Sequence, residues 1–441
     1  MTPHPRRPPT LLRFAYESAA RAAHAAAHIA PRGDAKVLRA LRARRGIRSR
    51  YTAWGAAARD PRRALLWMHA PSVGEGLQAR PVLQRLRDVR HDVQIAYTFF
   101  SPSAESFAQS IGADFVDYLP FDTPAAARAA LDALRPTALV FSKLDVWPSL
   151  AREASRRGVR LGLISATLAA GSGRRHPLAA SLLRDAYARL DAVGAIDASD
   201  ATRLVELGVH PETICITGDT RYDQVWARAN GVDGDGPLLA PLRSTRPTLV
   251  AGSTWPADDA VLLPAWLELR RAAPSARLII APHEPTAAHL EPIERWGRAA
   301  ALRVARLDAP DATTADVVIV DRVGVLGELY ALADVAFVGG GFHAAGLHSV
   351  LEPAAFGAPV LFGPRCQASR DARLLIARGG GASVDSVDAL RDRLRDWLGR
   401  DDARRSAGDA ARALVQHGLG AADRSLALVE RLLRGDTDRT R

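Results

Sequence analysis

Short apolar runs alternate with longer stretches of helical periodicity from residue 60 onwards. Each run has the length of a strand, and the stretches between them, such as GLQARPVLQRLRDVR, place apolar residues three or four positions apart. Alternating strands and helices are typical of a parallel sheet covered on both faces. The pattern predicts a first series of seven strands, at residues 64–70, 92–98, 115–120, 137–142, 160–165, 191–197 and 213–219.

A segment rich in glycine and proline, residues 229–247, interrupts this alternation, and we interpret it as an interdomain linker. The sequence predicts the α/β class, with a first doubly wound, Rossmann-like domain over residues 60–228 and a second over residues 248–441. Such domains bind ligands at the carboxyl ends of their strands, so we expect a cleft between the two. A second series of strands is predicted at residues 248–253, 276–283, 315–321, 334–341 and 358–364, with a helical tail from about 386 to 435.

Positive charge is concentrated in the amino-terminal arm, residues 1–59. The chain carries a net charge of +11, and residues 1–50 alone hold eleven arginines and one lysine against two acidic residues. A basic segment on a nearly neutral body favours an anionic surface as partner. Because no RNA-binding signature or interleaved aromatic residues accompany the arginines, a membrane surface is favoured over nucleic acid. A solvated arm without a partner remains the alternative.

Within this arm, the segment LLRFAYESAARAAHAAAHIA has a helical composition. Its polar residues follow one another at spacings of three or four and form one narrow stripe: Arg13, Glu17, Arg21, His24 and His28. Such a helix either lies in a membrane interface, with the following arginines as its electrostatic anchor, or packs on the body as a structural helix. No stretch reaches the roughly 18 uncharged apolar residues of a spanning helix.

The two cysteines, Cys215 and Cys366, stand in no spacing typical of a metal site or a redox pair. We therefore expect no structural metal and a reducing, cytosolic compartment.

The first predicted strand runs into HAPSVGEG, residues 69–76, where the chain turns into a helix. Ser72 and Glu75 have the spacing of a capping box, which would make Glu75 a helix cap. Alternatively, Glu75 is a carboxylate presented at a strand end and available as a general base. The spacing leaves both interpretations open.

Lys143 is one of only two lysines in a chain with 59 basic residues, and it follows the apolar run PTALVFS. A lysine buried at a strand end needs a partner, because an unpaired buried ammonium is costly. Asp145 is the nearest candidate, since residues two apart share a strand face. Alternatively, the ammonium opens into the predicted cleft, where a compact charge on a flexible stem can meet an anionic ligand.

A strand that runs into three glycines precedes a helix expected to begin near His348. Glycines such as Gly340 and Gly341 let the backbone approach a phosphate, and a helix amino terminus attracts anions. Glu352 could accept hydrogen bonds from a ribose. Glycine-rich strand ends also occur in any doubly wound domain, however, and Glu352 could simply be a first-turn acid. Nucleotide binding is the favoured interpretation.

Together these stretches resemble the 3-deoxy-D-manno-octulosonic acid (Kdo) transferase family. The resemblance covers residues 64–370 and includes WMHAPSVGEGLQARP, TFFSPSAES, VWPSL, ITGDTRYD, AGSTWPADD, APHEP, GELYALADVAFVGGG and LHSVLEPAAFGAPVLFGP in the family's order. It implies a GT-B-type fold and an inverting glycosyltransferase that moves Kdo from CMP-Kdo to a lipid A precursor in lipopolysaccharide biosynthesis, without metal or other cofactor. It also implies membrane association. Because the arm stands where the family has a hydrophobic segment, we expect peripheral attachment to the cytoplasmic face of the inner membrane.

The resemblance also implies roles for single residues. Glu75 falls on the family's proton acceptor, and Arg221 falls on the lysine of its G-N-L-K segment. Lys143 stands where the family commonly has the first glutamate of E-T-E-L-W-P. The second domain departs as well, since His283 replaces an arginine and Ser349 and Val350 replace Asn-Pro. From motifs and resemblance together, the predicted donor-binding residues are Ser253, Thr254, Pro282, His283, Leu326, Gly327, Glu328, Gly340, Gly341, His348, Ser349, Val350, Leu351 and Glu352.

Two rival interpretations remain. A nucleotide-sugar epimerase shares the two-domain fold and would turn over without an acceptor. A non-catalytic relative would bind CMP without transferring a sugar, and the departures at residues 143 and 349–350 keep this interpretation open.

Overall fold

The structure is a computed structural model that describes residues 10–29, 31, 33 and 35–435. The first nine residues of the predicted basic arm lie outside this description, as do Ala30, Arg32 and Asp34 within it. The chain forms two compact units, one of Met1–Gln224 with Gly420–Arg441 and one of Val225–Leu419. Each unit contains a seven-stranded sheet whose pairings are parallel, which confirms the predicted fold class.

The first sheet has the Rossmann strand order, β3-β2-β1-β4-β5-β6-β7. Its central strands are apolar runs that are buried along their whole length, as expected when helices cover both faces. All seven strands predicted in this half are confirmed. Their bounds are β1 (Leu65–His69), β2 (Gln94–Phe99), β3 (Phe115–Tyr118), β4 (Ala138–Ser142), β5 (Arg160–Ala166), β6 (Ala192–Ala195) and β7 (Ile214–Ile216).

Several helices of the first half begin at caps that the sequence supplies. The Thr123 hydroxyl accepts a hydrogen bond from the amide of Ala126 at the start of the helix Pro124–Leu134, and Asp197 accepts one from the amide of Asp200 at the start of the helix Ala198–Leu207. The helices are α1 (Thr10–Ile29), α2 (Lys36–Ala43), α3 (Ile47–Ala57), α4 (Val73–Val89), α5 (Glu105–Gln109), α6 (Pro124–Leu134), α7 (Pro148–Arg156), α8 (Pro177–Tyr187), α9 (Ala198–Leu207) and α10 (Thr220–Asn230).

The second sheet has the order β10-β11-β9-β8-β12-β13-β14. The five strands predicted here are confirmed, whereas β10 and β14 were not predicted because each has only three residues and no long apolar run. The strands are β8 (Thr248–Thr254), β9 (Arg277–Pro282), β10 (Val304–Arg306), β11 (Val317–Ile319), β12 (Val335–Val338), β13 (Val360–Phe362) and β14 (Gly381–Ser383). The remaining helices are α11 (Pro256–Ala272), α12 (Ala287–Ala299), α13 (Leu326–Leu329), α14 (Leu351–Ala355), α15 (Arg370–Arg378), α16 (Val387–Gly399), α17 (Asp401–His417) and α18 (Ala421–Arg434).

The last helix corrects the predicted domain division, which placed residues 248–441 in a single domain. The chain from Gly420 onwards belongs to the first unit, where α18 buries Leu428 and Leu432 in the core of that unit. Gly162 on β5 makes room for this helix, because a side chain there would collide with Leu432. The apolar face of α18 is visible in the sequence, but the sheet that it covers is not.

Candidate active site and donor site

Glu75 and Lys143 meet at the carboxyl edge of the first sheet. Glu75 lies in the first turn of α4, which follows β1, and Lys143 directly follows β4, the neighbour of β1. The Nζ atom of Lys143 lies 3.1 Å from the Oε1 atom of Glu75. The side chain of Lys143 is 43% exposed and that of Glu75 is 17% exposed. The pair therefore places a carboxylate and a partly solvated ammonium side by side where Rossmann-like sheets bind ligands.

Of the two alternatives for Lys143, the pairing with Asp145 is wrong. The carboxylate of Asp145 accepts a hydrogen bond from Trp147 Nε1 at 3.0 Å and lies 3.4 Å from the Nε2 atom of His69. Lys143 has a φ of +68°, so the chain leaves the extended conformation there and residues two apart no longer share a face. A left-handed backbone costs a residue with a Cβ about 1–2 kcal/mol. Backbone strain of this kind is typical of functional sites.

Glu75 does not form the capping box that the sequence left open. The side chain of Ser72 makes no hydrogen bond to the helix backbone, and its hydroxyl instead donates to the Glu75 carboxylate. The hydroxyl of Ser142 donates to the carbonyl oxygen of Glu75 at 3.0 Å, which holds the first turn of α4 against the end of β4. One carboxylate oxygen of Glu75 thus faces Ser72, and the other faces Lys143.

Opposing effects set the protonation of Glu75. Burial raises its pKa, but the hydrogen bond from Ser72 and the positive charge of Lys143 outweigh burial and hold the pKa below its ordinary value. Glu75 is therefore ionised at neutral pH, which a general base requires. The sequence indicated the carboxylate, whereas its dependence on Lys143 follows only from the fold.

Arg221, the third predicted catalytic residue, lies in the first turn of α10 and is held by Asp219. Its Nε and Nη2 atoms lie 2.9 and 2.6 Å from one carboxylate oxygen of Asp219. The other oxygen of this buried carboxylate is 3.5 Å from the side-chain amide of Gln78, three residues after Glu75 on α4. The hydroxyl of Thr220 donates to the carbonyl oxygen of Gln78 at 2.7 Å. Gln78 and Asp219 therefore connect Arg221 to the helix of Glu75, and sequence reasoning missed both.

The predicted donor-binding residues gather at the carboxyl edge of the second sheet. Ser253 and Thr254 end β8, and Pro282 ends β9, its neighbour on one side. The glycines follow β12, its neighbour on the other side. The others lie in or beside two short helices, α13 and α14: Leu326, Gly327, Glu328, His348, Ser349, Val350, Leu351 and Glu352. The second of these helices begins at Leu351 rather than near His348, and it has only five residues.

Asp258 holds the glycine-rich loop in place. Its buried carboxylate accepts hydrogen bonds from the backbone amides of Gly340 at 2.7 Å and Phe342 at 3.0 Å. Gly340 has a φ of +90°, and a side chain at Gly341 would collide with the backbone of Gly363. The glycines therefore allow close packing of the chain, and two amides of the loop are already bonded. A phosphate bound at this edge would therefore need hydrogen-bond donors other than these two amides. The glycine-rich pattern alone did not indicate this.

A histidine cluster surrounds Trp255 at the same edge: His283, His289, His343 and His348. The indole stacks on His343 with 4.2 Å between ring centroids and on His283 with 4.7 Å, and its Nε1 atom donates to His348 Nε2 at 3.2 Å. Burial lowers the pKa of His348, and the neighbouring His283 lowers it further. Sequence reasoning missed Trp255 and His343, although Trp255 stands inside the quoted AGSTWPADD. Within residues 10–435, as far as the structure describes them, no group of three or more histidine, cysteine or acidic side chains could hold a metal ion.

Arg228 was also missed, and it brings two predicted donor positions together. Its Nη2 atom donates to the carbonyl oxygen of Gly324 at 3.3 Å, and its guanidinium packs so closely on Gly327 that a side chain there would collide with it. Burial raises the pKa of Glu352, although the charge of Arg228 lowers it. An acid, a cation and a glycine thus lie close together in the second unit.

One side of the amino-terminal helix α1 contacts the body through polar side chains. The hydroxyl of Tyr16 donates to Asp122 at 2.7 Å, and Arg152 donates to Glu17 at 3.3 Å. The opposite side, which we call the outer face, is exposed and apolar: Leu11, Phe14, Ala15, Ala22, Ala25 and Ile29. Its three large side chains are 83%, 64% and 83% exposed. The helix therefore packs on the body and also presents an apolar surface. None of the described helices is both long and apolar enough to cross a bilayer.

Two Rossmann-like sheets, each in a unit of its own, define the GT-B-type fold class. The structure is similar to that of UDP-GlcNAc 2-epimerase from Neisseria meningitidis bound to UDP-GlcNAc, with a TM-score of 0.62 and 14% identity over 84% of this chain and 100% of that one. A glycosyltransferase from Rickettsia africae is similar with a TM-score of 0.57 and 13% identity, over 85% and 100% of the two chains. At these identities the likeness concerns the fold alone.

Sequence comparison identifies the family. Residues 40–224 match the family described as 3-deoxy-D-manno-octulosonic-acid transferase (kdotransferase). The chain is 31% identical over 405 residues to the 3-deoxy-D-manno-octulosonic acid transferase of Bordetella pertussis, over 87% of this chain and 90% of that protein. It is 27% identical over 404 residues to the Haemophilus influenzae enzyme, over 88% and 92%. The chain therefore belongs to the 3-deoxy-D-manno-octulosonic acid transferase family and is a glycosyltransferase, which confirms the resemblance.

Proposed function

We propose that this glycosyltransferase moves Kdo from CMP-Kdo to a lipid A precursor in lipopolysaccharide biosynthesis, with inversion and without a metal or other cofactor. The observation that carries the proposal is the Glu75–Lys143 pair, a carboxylate held ionised at a strand end with an ammonium 3.1 Å away. Family membership supplies the sugar and the reaction class.

In this mechanism Glu75 accepts the proton of an acceptor hydroxyl. The hydroxyl oxygen forms a bond to the anomeric carbon of Kdo, and the bond from that carbon to the phosphate oxygen breaks with its electron pair leaving on CMP. The ammonium of Lys143 stabilises the negative charge that develops on the departing phosphate. Because its side chain is 43% exposed, it can turn away from Glu75 without being extracted from a packed core.

Donor binding is assigned to the carboxyl edge of the second sheet. Two loop amides are bonded to Asp258, so the anionic donor is met by the side chains of Ser253, Ser349 and the histidine cluster.

A transfer assay tests this function. Purified protein is incubated with CMP-Kdo and a tetra-acylated lipid A precursor, and the products are analysed by mass spectrometry. The expected product carries the mass of the acceptor plus at least one Kdo residue, and Glu75→Gln abolishes most of it, whereas Glu206→Gln, an exposed carboxylate of the same unit, does not. CMP bound without turnover would instead identify a non-catalytic relative, and a product formed without acceptor would identify an epimerase.

Membrane attachment is assigned to the outer face of α1 together with the arginines that follow it. An interfacial helix has an apolar face and nearby basic residues, both of which the arm provides. The outer face itself carries no charged side chain, and Tyr16 and Glu17 on the other side of the helix are bonded to the body. This arrangement supports peripheral association with an anionic membrane surface.

A further inference from the structure

A cavity of about 490 Å³ lies where the arm meets the rest of the first unit, among α1, α3 and the start of α6. Its volume lies within the range of about 300–1,000 Å³ that is usual for small-molecule sites. The walls are mostly small and apolar, and they include Ala27, Ile47, Pro120, Ala126 and Ala129. Such walls suit a hydrocarbon chain rather than a polar ligand.

Four arginines line the same cavity, and none of the described lining residues is acidic. Arg44 is only 3% exposed and donates to the carbonyl oxygens of Leu119, Ala40 and Phe100. Its guanidinium also stacks over the Phe100 ring at 4.1 Å. In the described part of the chain no carboxylate lies within ion-pair distance of it. Burial lowers the pKa of Arg44 to about 10, so it remains charged at neutral pH without a neutralising partner.

The other three arginines are exposed and available to a ligand. Arg48 makes no hydrogen bond or ion pair with any residue that the structure describes. Arg21 lies 3.9 Å from Glu17, and Arg128 lies 3.5 Å from Glu153, so both are held weakly. Arginine is well suited to bind a phosphate through paired N–H groups. An apolar cavity lined by arginines is thus complementary to an amphiphile with an anionic head group.

The position of the cavity relates it to the candidate base. Pro120 and the residues that open α6 follow β3, so this wall lies at the carboxyl edge of the sheet that presents Glu75. In the sheet order β3 is the second strand from β1, so this wall and Glu75 lie two strands apart along the same edge. This places a cavity for an acyl chain at the edge of the sheet that carries the candidate base.

We propose that this cavity binds one acyl chain of the phosphorylated lipid acceptor, with Arg21, Arg48 and Arg128 at its phosphate. The assignment rests on the proposed function, but it adds a subsite that is separate from the Glu75–Lys143 pair.

Direct binding tests the cavity independently of sugar transfer. The probe is dodecyl phosphate below its micelle concentration, titrated calorimetrically into the full chain. We expect saturable binding that weakens at least tenfold in Ala129→Phe, which fills the cavity, and in Arg48→Glu, which inverts a charge at it. The controls Ala198→Phe and Arg62→Glu are exposed positions of the same unit and should bind as the wild type does. Thermal unfolding of each variant checks that it is folded, and Ala126→Leu is a milder filling variant if Ala129→Phe is not.

The acceptor assignment is tested by kinetics with the same variants. Ala129→Phe should raise KM for the acylated acceptor at least tenfold, leave kcat within about twofold, and leave KM for the deacylated phosphorylated disaccharide unchanged. Absence of saturable dodecyl phosphate binding in the wild type, or equal affinity in Ala129→Phe, would overturn the cavity proposal whether or not Kdo is transferred. A filling variant that loses binding to phospholipid vesicles but keeps its acceptor KM would assign the cavity to a membrane lipid, and this too overturns it. Lack of transfer by the wild type, with probe binding intact, would count against the proposed function alone.

Discussion

The ammonium of Lys143 lies 3.1 Å from the carboxylate of Glu75, and the two residues follow adjacent parallel strands of the first sheet. With the Lys143 side chain 43% exposed, solvent screens the pair, and its contribution to stability is expected to be about 1 kcal/mol or less. Its main consequence is electrostatic, because the positive charge of Lys143 lowers the pKa of Glu75. Substitution of Glu75 and substitution of Lys143 should therefore have different effects on the rate of transfer and on its pH dependence.

Glu75→Gln should reduce transfer by a factor on the order of 10² to 10⁴, the usual contribution of a general base. CMP affinity and thermal stability should remain close to those of the wild type, because the amide fits the same space. Initial rates, CMP titration and thermal unfolding measure the three quantities. Early melting with unchanged specific activity would show that Glu75 is structural.

Lys143→Met should slow transfer at least about tenfold, which corresponds to roughly 1.4 kcal/mol of barrier. Loss of the ammonium also removes one of the effects that hold the pKa of Glu75 low. Because Glu75 must be ionised to act as a base, the acidic limb of the pH–rate profile should move to higher pH. Lys143→Arg should also be impaired, since a planar guanidinium does not replace an ammonium here. Wild-type rates in both variants would exclude this role.

Asp259, on α11 beside Thr254, should make stability depend on pH. Burial raises its pKa to about 7, and the neighbouring Asp258 contributes to the rise. The folded state therefore keeps a proton that the unfolded chain releases near pH 4, so stability falls as the pH rises from about 4 to about 7. Asp259→Asn removes this loss and should unfold at a higher temperature than the wild type at pH 8, but not at pH 4.

The control for this effect is Asp235→Asn, an exposed carboxylate of the same unit, which should show no such trend. If the difference between Asp259→Asn and the wild type is the same at pH 4 and pH 8, Asp259 is not a buried acid with a raised pKa.

Leu11→Ser with Phe14→Ser should weaken binding to anionic vesicles at least tenfold, because each large side chain contributes about 1.5–3 kcal/mol when it leaves water. Co-sedimentation at low and high salt measures this, and binding should also weaken as salt rises. Leu178→Ser is the matched control, since Leu178 is 64% exposed in the same unit. Unchanged vesicle binding would show that the membrane contact lies elsewhere on the protein.

Substitution is preferable to removal of residues 1–50. Arg44 and Ile47 are buried, and Arg50 forms an ion pair with Asp117 at 2.7 Å. A truncation at residue 50 would therefore damage the body of the first unit as well as the membrane contact.

The strands were predictable where they lie in runs of apolar residues that burial requires, whereas β10 and β14, with the sequences VAR and GAS, have no such run. The individual site residues were predictable from their positions at strand ends. Their partners were not, because Glu75 and Lys143 are 68 residues apart and meet only through the sheet order. The Asp145 pairing failed because it assumed an extended backbone, which the φ of Lys143 excludes.

The hydrogen-bond partner of the glycine-rich loop could not be predicted from the sequence either. The pattern predicted amides facing a phosphate, but Asp258, 82 residues before Gly340, accepts a hydrogen bond from one of them. Composition can indicate that a chain approaches something closely. It does not identify whether that neighbour is a ligand or the protein itself.

The contact of Tyr16 with Asp122 has a practical consequence for how this enzyme is prepared. The same carboxylate accepts hydrogen bonds from the backbone amides of Ser149 and Leu150, both at 2.8 Å, in the first turn of the helix that follows the Lys143 loop. An enzyme shortened by α1 to improve its solubility would lose a support beneath that loop along with its hydrophobic surface. Rates measured on such a shortened protein would therefore report a disturbed active site, and a low value could be mistaken for a requirement for lipid.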